Sequence, residues 1–226
     1  MRRLEWDSDF FGYNIAEISD KDEIFDKSIE KYDLIYVKGI EDLDIKNFQC
    51  SFQENKIMYE KQLFFKEIDD TSIKNLFDTN YNIQDLYNLA FESGQHSRFL
   101  KDKKFGEANF KKLYKKWIDN SINKQFSDEI YVYVVNEKTV GFVTYKKNIE
   151  FAQIGLIAID SNYRGRGIGK LLLSKVENSL STEGVKKLRI PTQLENKNAC
   201  FFYEKLGYII VENIPIKHYW KINDTI

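Results

Sequence analysis

The sequence predicts an α/β protein with a mixed, mostly antiparallel central sheet and helices on both faces. Three observations predict it. Short apolar runs of strand length recur along the chain, as at Leu34 to Val37 and Ile130 to Val135. Between about residues 82 and 123 the apolar residues recur instead at helical spacing. From Ile157 onward a strand-like run passes through a glycine-broken turn into a further helical stretch. With 42% hydrophobic residues among 226, including 17 Phe and 14 Tyr, the chain can bury a core, which excludes the disordered class.

The elements follow in order. Up to about residue 70, acidic turns alternate with apolar stretches, and Leu34-Ile35-Tyr36-Val37 and Met58-Tyr59 to Phe64-Phe65 read as strands separated by a polar helix. Ile83, Leu86, Leu89 and Ala90 define one helix, and Phe110, Leu113, Tyr114, Trp117 and Ile118 define a second, across a loop at Ser93 to Lys104. Lys111, Lys112, Lys115 and Lys116 flank the second stripe and read as its solvated face, an anion-binding role being the alternative. Ile130 to Val135 and Val140 to Tyr145, joined at Asn136-Glu137-Lys138, form a hairpin to which Ile149 to Ile159 adds a third strand. Leu171, Leu172, Leu173 and Val176 lie on a helix ending near Gly184, a candidate left-handed cap. Lys187 to Pro191 is the next strand, Ala199 to Leu206 a helix closed by Gly207, and Tyr208 to Val211 and His218 to Ile222 two final strands.

Composition narrows the function classes. Only 11 Gly and 2 Pro rule out collagen-like or linker-rich architecture. The two cysteines, Cys50 and Cys200, make no disulfide framework and fit a reducing compartment, so a cytoplasmic location is expected. The start, Met1-Arg2-Arg3-Leu4-Glu5, turns acidic before an apolar segment develops, and no run approaches the ~18 apolar residues of a membrane span. Neither a signal peptide nor a membrane partner is expected. A formal net charge of -1 offers no drive toward nucleic acid, although residues 1–95 carry a net of -10 and residues 96–124 a net of +6. His96 and His218 are too few for a metal cluster, and none is expected.

The segment Ile157-Ala158-Ile159-Asp160-Ser161-Asn162-Tyr163-Arg164-Gly165-Arg166-Gly167-Ile168-Gly169-Lys170 sets strand, turn and helix start in sequence. The free N–H groups of a helix's first turn and the positive end of its dipole suit phosphate, and glycine lets the ligand approach the backbone, so this turn should hold a pyrophosphate. A dinucleotide-binding turn needs G-x-G-x-x-G, whereas the glycines here fall at 165, 167 and 169. A nucleotide P-loop needs a Gly five residues before Gly169 and Ser or Thr after Lys170, where Arg164 and Leu171 stand.

What this spacing resembles is the signature [QR]-x-x-G-x-[GA] of the GNAT superfamily of acetyl-CoA-dependent N-acetyltransferases, matched by Arg164, Gly167 and Gly169. A second family signature matches at Asn196, Ala199, Tyr203 and Gly207-Tyr208, so the resemblance covers roughly residues 128–222. It implies a GNAT-type sheet in which acetyl-CoA wedges between two strands that splay apart. It further implies that the backbone from Arg164 through Gly165, Arg166, Gly167, Ile168 and Gly169 to Lys170 binds the CoA pyrophosphate. The strand edge at Ile157, Ala158 and Ile159 would pair with the pantetheine amides, and Asn196 would bind the cofactor arm. Tyr203 would be the general acid that protonates the departing thiolate, and a strand amide would serve the oxyanion during direct attack by a neutral amine.

Each assignment has a plainer alternative. Tyr203 could be a core aromatic, Asn196 a helix N-cap, and Cys200 a small buried residue rather than an acyl-carrying nucleophile. For the acceptor, Trp6-Asp7-Ser8-Asp9-Phe10-Phe11-Gly12-Tyr13 and Ser93-Gly94-Gln95-His96-Ser97-Arg98-Phe99, with Phe105 and Trp117 following, resemble the dTDP-fucosamine acetyltransferase family. That resemblance implies a nucleotide-linked amino-deoxysugar as partner, with a diphosphate for Arg98 or nearby lysines and a base for aromatic stacking. Trp6, Phe10 and Phe11 could equally be core. The organisation expected is an acceptor-side lobe at 1–80 and an acetyltransferase domain at 81–226, with homodimerisation through the last strands as a further expectation. An amine, amino acid or protein N-terminus as acceptor, or a non-catalytic acyl-CoA sensor, are the competing readings.

Overall fold

The computed structural model describes residues 1–19, 27–64 and 72–222. In chain order these form β1 (Arg2–Arg3), α1 (Glu5–Phe11), β2 (Ile15–Ser19), β3 (Leu34–Lys38), β4 (Phe48–Gln62) and β5 (Ile73–Asn75). Then come α2 (Ile83–Ser93), α3 (Arg98–Lys101), α4 (Gly106–Ile122), β6 (Glu129–Val135), β7 (Lys138–Lys147) and β8 (Ala152–Ile159). Last are α5 (Ile168–Thr182), β9 (Lys187–Gln193), α6 (Lys197–Lys205) and β10 (Ile209–Lys221). The strands make one sheet in the order β1-β2-β3-β10-β4-β9-β8-β7-β6-β5. Among the described residues only β2–β3 and β8–β9 run parallel, so the sheet is mixed and mostly antiparallel, as the sequence predicts.

Local chemistry explains the elements that position the site. Asn82 caps α2 by accepting from the Gln84 amide at 2.9 Å, which satisfies one of the free N–H groups of its first turn. The β6–β7 turn is tighter than expected, because Asn136 and Glu137 alone form it, with φ of 47° and 65°, and Lys138 already belongs to β7. Two positive φ values in a two-residue loop match the right-handed twist of the strands they join. Helices α5 and α6 both end before a left-handed glycine, Gly184 and Gly207.

The two faces of the sheet carry different cores. Leu172, Leu173 and Val176 of α5 and Cys200 and Tyr203 of α6 pack on one face against Ile57, Tyr59, Val143 and Ile190. Leu86, Leu89, Phe110, Leu113 and Ile118 of α2 and α4 pack on the other against Tyr36, Val132, Phe142 and Ala158. Burying one such large side chain fully contributes about 1.5–3 kcal/mol.

Several expected elements differ, and the loop expected at Ser93 to Lys104 contains the short helix α3. No helix separates the first strands, since the chain turns through residues 39–47 and then enters β4, which starts at Phe48 rather than Met58 and stops at Gln62. Phe65, the expected end of that strand, lies outside the described residues. Ile149 is fully exposed in the turn before β8, which begins at Ala152. The two expected final strands are one 13-residue strand, β10, with a register shift between Ile210 and Glu212. Pro215 does not break it: its carbonyl accepts from Gly39 on the β3 side, so the missing N–H falls just beyond the end of the β3 ladder, not on the β4 ladder.

Candidate active site

Strands β8 and β9 hold together only at Ala152–Leu188 and Gln153–Arg189, after which they part. A cavity of about 1230 Å³ opens in the gap, with both Ile154 to Ile159 and Ile190 to Gln193 in its walls. Opposite Thr144 the β7–β8 register slips at Gly155 and Leu156, a bulge that bends β8 away from its neighbour. Thr144 fixes it by accepting from the Leu156 amide through Oγ1 at 2.9 Å, and a Cβ on residue 155 would come within 2.8 Å of that oxygen, so glycine is required.

The glycine turn follows β8 directly. Asp160 starts it, its Oδ1 accepting from the Asn162 amide at 3.0 Å and its Oδ2 pairing with Lys138 at 2.7 Å; the Lys138 bond, then the Asn162 amide, hold its carboxyl below the usual range. Gly167, at φ 83°, ends the turn as the N-cap of α5 and offers no side chain, so the first amides of α5 are left uncapped and open to the cavity. The residues here fit the CoA pyrophosphate: a Cβ at 165 or 167 would meet nothing within 4 Å, whereas one at 169 would press on Phe202 at 3.1 Å.

The structure brings Ile157, Ala158, Ile159, Arg164, Gly165, Gly167, Ile168, Gly169, Lys170, Asn196 and Tyr203 to this one cavity. Arg166 is not in its wall, because its guanidinium donates to the Asn162 carbonyl at 3.1 Å and lies 4.9 Å from the Tyr163 ring centre. Arg164 is engaged as well, donating to Glu92 Oε2 at 2.9 Å and to the Ile159 carbonyl at 3.1 Å. Asn196 caps α6 by accepting from the Ala199 amide at 3.3 Å. Cys200 is buried and its thiol points at the Gln193 and Leu194 carbonyls, with no basic side chain bonded to it. Tyr203 is 5% exposed, 5.6 Å from Tyr59 between ring centres, and burial pushes its hydroxyl well above the usual tyrosine value. It is therefore protonated at neutral pH, the state a proton donor needs.

Across the sheet, the other wall is built from side chains. Trp6 and Asp7 of α1, Lys38 of β3, Glu54 and Lys56 of β4, Arg98 of α3, and Tyr114 and Trp117 of α4 all line the cavity. Of these, the sequence resemblance on the acceptor side includes Trp6, Asp7, Arg98 and Trp117, and it does not include Lys38, Glu54, Lys56 or Tyr114. Arg98 lies 4.4 Å from the Tyr36 ring centre and 4.7 Å from that of Phe99, and its Nη1 is enclosed without a hydrogen-bond partner. Burial first, then the Arg98 and Lys38 charges, hold the Lys56 ammonium below the usual lysine value. Burial pushes Glu54 up to about 7, against the pull of Arg98.

Behind Arg98 a buried network ties α3 to the sheet. Asp102 accepts from His218 Nδ1 at 2.7 Å, Trp220 Nε1 at 2.9 Å, the Lys104 amide at 3.2 Å and Ser51 Oγ at 3.3 Å. Burial pushes His218 down to about 4, so its ring is neutral and donates to Asp102 from Nδ1. Among the described residues no group of His, Cys, Asp and Glu is placed to hold a metal ion, and no helix is long and apolar enough to cross a membrane.

The acetyltransferase (GNAT) family model matches residues 82–208, more than half of the sequence, and the chain belongs to that family. It is 35% identical over 105 residues to an uncharacterized N-acetyltransferase of Methanocaldococcus jannaschii, covering 43% of this chain and 46% of that one. It is 36% identical over 75 residues to the ribosomal protein bS18-alanine N-acetyltransferase of Haemophilus influenzae, covering 33% and 51%. The spore coat polysaccharide biosynthesis protein SpsD of Bacillus subtilis is 23% identical over 132 residues, covering 58% and 45%. These matches thus span about half the length of each relative. A crystal structure assigned to the GNAT family from Novosphingobium aromaticivorans shares the fold at TM-score 0.57 and 14% identity, over 84% of this chain and 74% of that one.

Proposed function

We propose that this chain is an acetyl-CoA-dependent N-acetyltransferase whose acceptor is the amino group of a nucleotide-linked amino-deoxysugar. The observation that carries the reading is the single cavity that crosses the sheet where β8 and β9 part. On one face it offers uncapped amides and a protonated Tyr203, and on the other a chamber of cations and aromatic rings. The α5 amides hold the pyrophosphate, the free edge of β8 aligns the pantetheine arm, and Tyr203 gives its proton to the departing sulfur. Acetyl-CoA supplies the activated acyl group; the chain supplies orientation, exclusion of water and proton transfer. Lys38, Lys56 and Arg98 suit a phosphorylated acceptor, and Trp6 and Trp117 suit a flat base. The polysaccharide biosynthesis relative supports this acceptor class, whereas the ribosomal-protein acetyltransferase relative favours a protein α-amine.

The test is thiol release from acetyl-CoA against dTDP- and UDP-linked amino-deoxyhexoses, free amino sugars, polyamines, and peptides with free N-termini or lysines. Turnover confined to the nucleotide-linked sugars is the expected result. Turnover on peptides or simple amines alone would refute the acceptor assignment and leave the acetyltransferase reading standing.

A further inference from the structure

We propose that Glu54, supplied by β4 from outside the family-matched residues, takes the proton from the acceptor's ammonium group before attack. The proposal rests on the N-acetyltransferase reading above but not on which acceptor is used.

Glu54 breaks the pattern set by the other buried carboxylates. Asp102 has four donors, Glu60 has Arg189 and Lys187, and Asp160 has Lys138 and the Asn162 amide. Glu54 is 7% exposed and, among the described residues, forms no ion pair and leaves Oε2 enclosed without a hydrogen-bond partner. A carboxylate oxygen is costly to bury in the middle of a sheet unless something satisfies it, and among the described residues nothing satisfies Oε2. Its position says what could. Glu54 lies two residues beyond Lys56–Gln193, the last β4–β9 pair, where Leu194 and Glu195 turn toward α6 and the gap opens. It lines the cavity on the acceptor side, while the other face of β4 presents Tyr59 to Tyr203. An ammonium seated there would meet the unpaired carboxylate.

The groups facing Glu54 are Arg98 of α3, Lys56 of its own strand, Glu195 of the β9–α6 turn and Tyr114 of α4. Burial outweighs the two cations and leaves the carboxyl near 7, where it both accepts a proton and gives it up. The step balances. A proton passes from the ammonium nitrogen to Glu54, the freed lone pair attacks the thioester carbonyl carbon, and the carbon–sulfur bond breaks. The sulfur takes the Tyr203 proton, and the nitrogen, positive after attack, loses its second proton to solvent as the amide forms; solvent then removes the proton from Glu54 and reprotonates Tyr203.

The experiment compares wild type with Glu54→Gln and Glu54→Asp, using whichever acceptor of the panel turns over, from mildly acidic to alkaline pH. In wild type kcat/KM for the acceptor should rise with pH through about 7. Glu54→Gln should lower it ~100-fold at neutral pH, as loss of one positioned base does, and recover toward wild type in alkali, where the amine is already neutral. Acetyl-CoA affinity, read by calorimetry, should stay unchanged, and Glu54→Asp should fall between the two. An infrared pH titration, which needs no acceptor, should show a carboxyl group titrating near 7 in wild type and missing from Glu54→Gln. An unaltered pH profile in Glu54→Gln, or no carboxyl titrating near neutrality, would overturn the proposal. Silence across the whole panel would instead fail the acetyltransferase reading, and the infrared titration would still decide for or against Glu54.

Discussion

The two walls of the cavity are made of different material. The wall proposed for the cofactor is mostly backbone: uncapped amides of α5, a glycine turn, and strand edges left unpaired where β8 and β9 part. The wall proposed for the acceptor is side chains drawn from α1, β3, β4, α3 and α4. A backbone site recognises what every acyl-CoA shares, and it requires glycines at fixed places. A side-chain site can change acceptor one residue at a time without disturbing the turn that holds the cofactor.

The sharpest way to break this contrast is Gly167→Asp. A side chain at φ 83° is strained, but its Cβ would meet nothing within 4 Å, so the change places a carboxylate at the proposed pyrophosphate site. CoA binding by calorimetry should be abolished while the chain still folds, with thermal unfolding lowered only by the local backbone strain; normal binding would refute the backbone reading. Next in size is Tyr203→Phe, which should keep acetyl-CoA affinity and lower turnover by at least ~10-fold. Unchanged turnover would return Tyr203 to the core. The smallest effect is expected at Arg164, part of the signature but committed to Glu92 at a side chain 58% exposed. Exposed pairs contribute ~0.2–1 kcal/mol, so Arg164→Ala should change CoA affinity by less than ~5-fold. A larger loss would mean that the backbone shares the binding of CoA with this side chain.

The same division decided what could be read in the sequence. The turn at 164–170, α5, α6 and the β6–β7 hairpin were legible because each carries glycines, caps or periodicity that its backbone demands. Strand β4 was not. Gln53, Glu54, Asn55 and Lys56 look like a polar helix, yet all four pair with β10 and Lys56 pairs with β9 as well, and Glu54 and Lys56 are polar because their face is cavity rather than core. The acceptor wall stayed hidden for that reason: its residues are far apart in sequence and gather only when β4 and β10 pair. Arg98 was singled out, but nothing local showed that Asp102, His218 and Trp220 would hold its helix in place.

The threading of β10 between β3 and β4 also has a consequence for how the molecule is made. Pairs such as His218–Tyr36 and Trp220–Leu34 join residues more than 180 positions apart, so closing them costs loop entropy before any contact rewards it. During synthesis β3 and β4 leave the ribosome early but have no common neighbour until residues 209–221 follow. Until then their facing edges stand open to other chains, and this protein depends most on protection from aggregation in the interval before its last strand arrives.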